Sequence, residues 1–367
     1  MIIPIFLMNR GCPHRCLFCN ERLTAGERPD RITETAFNET VRASLGGARR
    51  KNGPVQIAFY GGTFTGLERQ EQRRLLKLAR PFLLSGAVDG IRLSTRPDGI
   101  DPAGIDLLKG LGVTTVEVGA QSLDDGVLRS SGRGHTAADT VRAVTLLRDR
   151  GFETGIHLMA GLPGDSPDRF ARTVEKAIAL RPDTVRIHPT LVLRDTPLAE
   201  AFRGGRYRPL TLAEALALCK SALKTLTLAG IPVIRLGLQT TRELEAPGAV
   251  VAGPFHPAFR SLVESALFLE IAASLLADAG HGERTVTFDV APADISNLRG
   301  RRGENIAALK ERFDLDDIRT TADPALPRRA LVLTAGNRQW ETDWSGGITK
   351  RRGDLPASAN QHLPATA

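Results

Sequence analysis

Residues 9–20 read Asn9-Arg10-Gly11-Cys12-Pro13-His14-Arg15-Cys16-Leu17-Phe18-Cys19-Asn20 and hold three of the four cysteines in the spacing C-x3-C-x2-C. Thiolates this close in sequence can reach one inorganic centre, and thiolate ligands favour soft metals and iron–sulfur clusters. A four-iron cluster normally takes four Cys ligands, so three nearby cysteines leave one iron open to bind and activate something. Zinc stands as the alternative, with His14 or His157 as fourth ligand, although structural zinc sites tend to pair two C-x2-C units and no second unit exists here. A disulfide reading needs an even partner and an oxidising compartment, and nothing looks secreted. The fourth cysteine, Cys219, lies in an apolar helical stretch and reads as core.

Working outward, Ile2–Met8 is an apolar run with no basic flank and no cleavage site, too short to span a bilayer, and reads as a buried strand. Strands are then expected at Val55–Tyr60, Ile91–Thr95, 112–118, Glu153–Met159 and Thr184–His188, alternating with helices at Arg31–Leu45, Leu67–Leu84, Ile105–Leu111, Thr136–Arg150 and Phe170–Leu180. Such alternation means parallel strands joined by right-handed crossovers. Each chemistry-bearing group follows a strand: Cys12, then Gly61, Arg96, Gln121, and His157 near the end of the fifth. In (β/α) barrels the active site gathers at the C-terminal strand ends, whereas a Rossmann sheet would show one G-x-G-x-x-G after its first strand. The expected fold is therefore α/β, a partial (β/α)6 TIM-like barrel with a small C-terminal α+β module. The chain's 367 residues suffice for both.

Hydrophobic residues make up 42% and charged residues 25%, ordinary for a globular protein, and no run reaches membrane-spanning length free of charge. A reduced, cytoplasmic location with no membrane partner is expected. The net charge of +8 suits an anionic partner such as nucleic acid.

With Phe18 just before Cys19, the cysteine spacing resembles the C-x3-C-x-aromatic-C motif of the radical S-adenosylmethionine (radical SAM) superfamily. Gly61-Gly62-Thr63 resembles that superfamily's Gly-Gly-Glu motif, which meets the SAM amino group, with Thr in place of Glu. Ser94-Thr95-Arg96-Pro97-Asp98 resembles a stretch that meets the ribose and methionine end of SAM in the Elongator catalytic subunit family. Gly119-Ala120-Gln121-Ser122, with Ser131-Gly132-Arg133-Gly134-His135, resembles the segments of oxygen-independent coproporphyrinogen oxidases that supply a Gln and an Arg to SAM. An Arg there makes physical sense, since its planar fork can hold a carboxylate in two hydrogen bonds. Residues 155–164 and 185–192, and more loosely 250–259, look closest to the Elongator catalytic subunit family. Porphyrin-type relatives carry Asp where His157 stands; His157 and His188 can each be read as a site residue or as a barrel-interior histidine satisfied by backbone.

The resemblance implies a [4Fe-4S] cluster on Cys12, Cys16 and Cys19 and SAM contacts from Phe18, Gly61, Gly62, Thr63, Ser94, Arg96, Gln121, Arg133 and His157. It implies reductive cleavage of SAM to a 5′-deoxyadenosyl radical, with an electron donor such as flavodoxin or ferredoxin. Together with the basic balance it favours an RNA (tRNA) substrate and tRNA modification. A tetrapyrrole-related enzyme or haem-handling protein, and a non-catalytic cluster-containing RNA-binding factor, are the rival classes. No acetyl-CoA loop of the form R/Q-x-x-G-x-G/A follows residue 285, so acetyl transfer is not expected.

The expected domains are a radical SAM partial barrel at 1–240, a connecting loop and packing helix at 241–283, a small α+β KH-like module at 284–335 and a largely disordered tail at 336–367. Within the module, Gly300-Arg301-Arg302-Gly303 between two short helices resembles the G-x-x-G loop with which KH domains grip a single strand's backbone. Arg299, Arg301 and Arg302 add charge where phosphate would sit.

Overall fold

The computed structural model describes residues 1–13, 16–26, 31–47, 53–280, 282–344, 347 and 349–351; His14, named above as a zinc ligand, lies outside them. The chain divides into two compact units, Met1–Phe259 and Arg260–Ala367.

In the first unit the strands are β1 (Ile2–Phe6), β2 (Gln56–Tyr60), β3 (Gly90–Thr95), β4 (Val113–Gln121), β5 (Glu153–Ala160), β6 (Thr184–Pro189), β7 (Val192–Leu193), β8 (Val233–Leu236) and β9 (Val250–Ala252). Among the described residues, β1-β2-β3-β4-β5-β6-β8 pair in that order, every pair parallel, into a sheet that curls as a half-barrel. The partial barrel expected from the sequence is present with one strand more than six, β8, which pairs beside β6.

The crossover helices are α1 (Glu21–Ala25), α2 (Glu34–Gly46), α3 (Arg69–Leu84), α4 (Pro102–Gly110), α5 (Asp125–Ser130), α6 (Ala137–Asp149), α7 (Pro167–Ala179), α8 (Pro197–Arg203), α9 (Leu212–Leu228) and α10 (Arg242–Glu245). Their starts are written locally. Thr33, Asp101, Asp124, Thr136, Ser166, Thr196 and Thr211 each accept a backbone N–H three residues on, and Thr136 and Thr211 complete capping boxes with Asp139 and Glu214. Each cap fixes the residue at which its loop ends, whether the loop follows a strand, as at Asp124 and Ser166, or a helix, as at Thr136 and Thr211.

Outer strand positions such as Ile57, Leu93, Val116, Val118 and Ile156 are buried under the helices. The barrel interior is polar. Arg92 donates to Glu117 Oε1 at 2.7 Å and to Gln56 Oε1 at 2.9 Å, while Arg186 Nη2 donates to the same Glu117 oxygen and to the Tyr60 hydroxyl, both at 2.8 Å. Tyr60 in turn donates to Glu117 at 3.0 Å, and burial, with Glu117 next, pushes its pKa up. One buried carboxylate thus ties β2, β3, β4 and β6 together.

The second unit contains most of α11 (Phe259–Ala279), then β10 (Thr285–Val290), α12 (Ile295–Arg299), α13 (Glu304–Phe313), β11 (Asp317–Ala322), β12 (Leu331–Ala335), β13 (Arg338–Thr342) and β14 (Thr349–Arg351). The sheet order is β11-β10-β12-β13-β14, with β10 and β11 parallel and the remaining pairs antiparallel. Two expectations differ here. The helix assigned to a connector belongs with the second unit, because its buried Phe268 meets Trp344 edge-on at 6.0 Å. The stretch from 336 is structured at least to Trp344, because Trp340 and Trp344 are buried and β12 turns at Gly336 into a hairpin; residues 352–367 lie outside the described residues.

Removing one partner of a buried charge network leaves the others uncompensated. Glu117→Ala is expected to lower the unfolding free energy by about 3–5 kcal/mol. Glu153→Ala, which removes a half-exposed carboxylate 3.4 Å from Arg92, is expected to cost about 0–1 kcal/mol. Urea unfolding of the two variants measures the contrast.

Candidate active site

The cysteine loop leaves β1 through a left-handed stretch, Met8 (φ 45°), Asn9 (φ 61°) and Gly11 (φ 74°). It runs against the turn after β2: Leu7 N donates to Tyr60 O, Asn9 N to Gly61 O and Thr63 N to Arg10 O, at 2.7, 2.7 and 2.9 Å. Two glycines allow this approach. A Cβ on Gly11 would stand 2.1 Å from Thr63 O, and one on Gly62 would stand 2.6 Å from Arg10 O. Thr63 Oγ1 thereby comes within 3.2 Å of Cys12 Sγ.

The end of β4 supplies the opposing wall. Arg133, buried in the loop after α5, donates Nη1 to Cys16 Sγ at 2.9 Å and Nη2 to Gly119 O at 2.7 Å. Arg96, after β3, forks onto Asp98 at 2.9 and 3.0 Å and donates to Arg133 O. Burial lowers the Arg133 pKa, and the Cys16 sulfur opposes that shift. Burial also raises the Cys12 and Cys19 thiols, with Glu21 adding to it in both. Glu21 itself, desolvated beside the loop, is raised to about 7 although Asn9 N donates to it.

Gln121 closes β4 with φ 61° and points Nε2 at His157 Nδ1, 3.4 Å away; His157 Nε2 lies 3.0 Å from His188 Nδ1. Phe18 packs against clusters containing Met159, Leu162 and Val192.

Cys12, Cys16, Phe18, Cys19, Gly61, Gly62, Thr63, Ser94, Arg96, Gln121, Arg133 and His157 all line one cavity of about 1660 Å³. Arg299, Arg301 and Arg302 lie elsewhere, at the α12–α13 connection of the second unit. Glu21, Tyr60, Glu117, Arg186 and Arg235 line the same cavity without having been singled out. The available signal was period-two alternation: Arg186 and His188, like Glu117 and Gln121, sit where their strands face inward.

Among the described residues no set of three or more His, Cys, Asp or Glu is closed around a common point. The three thiols nonetheless fit a sulfur-ligated cluster as donors. They share one cavity, and the Cys16 sulfur accepts from a guanidinium, a group that can only donate.

A curled parallel sheet with three cysteines behind its first strand defines the class, and the comparisons agree. The Radical SAM superfamily profile matches residues 6–177, and the Radical SAM C-terminal domain profile matches 182–268. The chain belongs to the radical SAM superfamily. It is 26% identical over 253 residues to the tRNA uridine(34) acetyltransferase of Methanocaldococcus infernus, covering 59% of this chain and 47% of that one. It is 36% identical over 135 residues to Elongator complex protein 3 of Homo sapiens, covering 35% and 24%. A solved archaeal Methanocaldococcus infernus Elp3 with an N-terminal deletion superposes with TM-score 0.55 at 23% identity, over 72% of this chain and 62% of that chain. The chain thus spans about half the length of the tRNA uridine(34) acetyltransferase it matches. Among the described residues no helix is long and apolar enough to cross a membrane.

Gly11→Ala forces a Cβ into Thr63 O in a left-handed conformation, a strain on the order of 1–3 kcal/mol. The expected result is a displaced cysteine loop: iron and labile sulfide per chain after anaerobic reconstitution fall well below wild type, with far-UV circular dichroism unchanged.

Proposed function

We propose that this chain is a radical SAM enzyme that holds a [4Fe-4S] cluster on Cys12, Cys16 and Cys19 and acts on RNA, with tRNA as the substrate class. The observation that carries the reading is the Arg133 bridge, one guanidinium on the Cys16 sulfur and on the backbone at the end of β4. It joins the cysteine loop to the residues that would orient SAM. A cluster held by Cys12, Cys16 and Cys19 would supply the electron for reductive cleavage of SAM.

The chain's own residues do the positioning. Arg133 and Gln121 orient the methionine end, with the Arg133 charge facing the carboxylate. Gly61, Gly62 and Thr63 present backbone to the amino group, and Ser94, Arg96 and His157 face the ribose side. Phe18 provides an apolar wall for the adenine. The electron comes from a low-potential donor such as flavodoxin or ferredoxin. The tRNA reading draws support from the names of the relatives, the net charge of +8 and the arginine-bearing loop of the second unit. A cytoplasmic location accords with that substrate. No acetyl-transfer role is proposed.

The RNA contact assigned to Arg299, Arg301 and Arg302 rests on a β10-α12-loop-α13-β11 order with Gly300, Arg302 and Gly303 in positive φ at the loop. Arg301 and Arg302 are exposed, and Arg299 Nε donates to Thr320 Oγ1 at 2.7 Å. An Arg301→Glu/Arg302→Glu double variant is expected to weaken binding of bulk tRNA and to flatten the log–log salt dependence by about 2. An unchanged slope would remove the loop from the RNA surface.

The enzymatic reading is tested by anaerobic reconstitution with iron and sulfide, then dithionite and SAM, with and without bulk tRNA. The expected outcome is 5′-deoxyadenosine that disappears in Cys16→Ala and rises with tRNA. Formation indifferent to RNA would overturn the substrate class. Zinc bound in place of iron with no cleavage would overturn the whole.

A further inference from the structure

We propose that Arg186, Arg235 and His188 form a subsite for an oxyanion carried by the substrate, a phosphate or a carboxylate, on the cavity wall made by β6 and β8. The proposal rests on the enzymatic reading above in that the group bound there is the substrate's and not SAM's, whose carboxylate is assigned to Arg133.

The three side chains converge by register. Arg186 and Arg235 are paired positions on adjacent parallel strands, so their backbones stand about 4.8 Å apart. His188 follows Arg186 by two residues and therefore points to the same face. All three line the cavity.

Their unused valences are donors. Arg186 spends Nη2 on Glu117 and Tyr60, but its Nε is buried with no partner. The Arg235 side chain makes no hydrogen bond or ion pair among the described residues. His188 Nε2 is likewise buried and unpartnered. Its role follows from the chain of contacts behind it. With the Gln121 amide assigned so that Nε2 faces His157, that nitrogen can only donate and His157 Nδ1 accepts. His157 Nε2 then carries the proton and donates to His188 Nδ1, which leaves His188 Nε2 as an N–H aimed away from its neighbour. Both rings are neutral at physiological pH: burial first, then Arg186, takes His157 down to about 3, and burial and then His157 take His188 well below its ordinary value.

The charges point the same way. Arg92 and Arg186 share Glu117, and Arg92 also approaches the half-exposed Glu153. Arg235 has no carboxylate of its own, and its pKa is lowered by burial and then by the like charge of Arg186. Two guanidinium groups held side by side in a partly desolvated wall, with a third N–H beside them, match a ligand that is all acceptor. A neutral apolar substrate part would leave these donors stranded, each at a desolvation cost of about 1–3 kcal/mol.

The test uses the reconstituted protein and equilibrium dialysis with three probes: uridine, uridine 5′-monophosphate and succinate. The expected result is that the monophosphate or succinate binds about tenfold or more tightly than uridine. Preference for the first identifies a phosphate ligand and preference for the second a carboxylate. Arg235→Gln is expected to abolish the preference and Arg235→Lys to keep part of it; Arg235 lies on an edge strand outside the Glu117 network, so thermal unfolding of both variants should stay near wild type. On ¹⁵N-histidine NMR, the Nε2 resonance of His188 is expected to shift as the preferred anion is added. Equal binding of uridine and its monophosphate together with no succinate binding overturns the subsite, as does a preference that survives Arg235→Gln. Formation of 5′-deoxyadenosine by the same wild-type preparation is read separately. Its absence with the anion preference intact sinks the enzymatic reading alone, and its presence without the preference sinks only the subsite.

Discussion

One carboxylate, Glu117, sets the terms for the barrel unit. Its Oε1 accepts from Arg92, Arg186 and Tyr60, residues brought in by three other strands, so the curvature of the sheet and the pairing of its interior charges are a single constraint. Interiors of (β/α) barrels are usually filled by layers of branched apolar side chains. Here Glu117 and its partners form a hydrogen-bonded polar floor under the cysteine-bearing mouth, beside apolar residues of β1 such as Ile2 and Phe6 that line the same cavity. Such a network rigidifies only if every member is satisfied. Arg186 on β6 is the member with a nitrogen left without a partner, Nε, and it borders the cavity beside Arg235 of β8, which stands outside the network.

The mouth is organised by backbone proximity more than by side-chain packing. Gly11 and Gly62 let two loops touch main chain to main chain, and Thr63 reaches Cys12 as a consequence. Arg133 does the equivalent from the far side with a cation. Hydrogen bonds and charge at ligand sulfurs are among the main determinants of cluster potential. The same guanidinium that anchors the loop would therefore also set the electronics of a group held by Cys16.

Much of this was readable in advance, for physical reasons. Cysteine spacing is a local signal, helix caps such as Thr136 and Thr211 are local, and strand–helix alternation at short loops leaves few topologies. The interior network was not readable, because Arg92, Glu117 and Arg186 are ordinary charged residues until register puts them on one face. The difference between six strands and seven turned on β8, a short segment whose place in the sheet depends on a long-range pairing with β6. The hairpin of β12 and β13 carried a usable signal, Gly336-Asn337 between alternating residues with Trp340 at an inward position, but the polar composition that follows it masks the pattern. His188 was visible as a candidate and undecidable, since its function depends on which nitrogen His157 leaves it.

The sheet's two edges have a topological consequence. Among the described residues β1 and β8 do not pair with each other, yet side chains from both border the cavity. The gap is spanned by other chain: α1, which follows β1, packs against α10, which follows β8, and Thr241 Oγ1 donates to Leu23 O at 2.6 Å. The ring is thus completed by side chains and helix ends where strand pairing stops, so the rim on that side is held by contacts that can part without breaking a β-ladder.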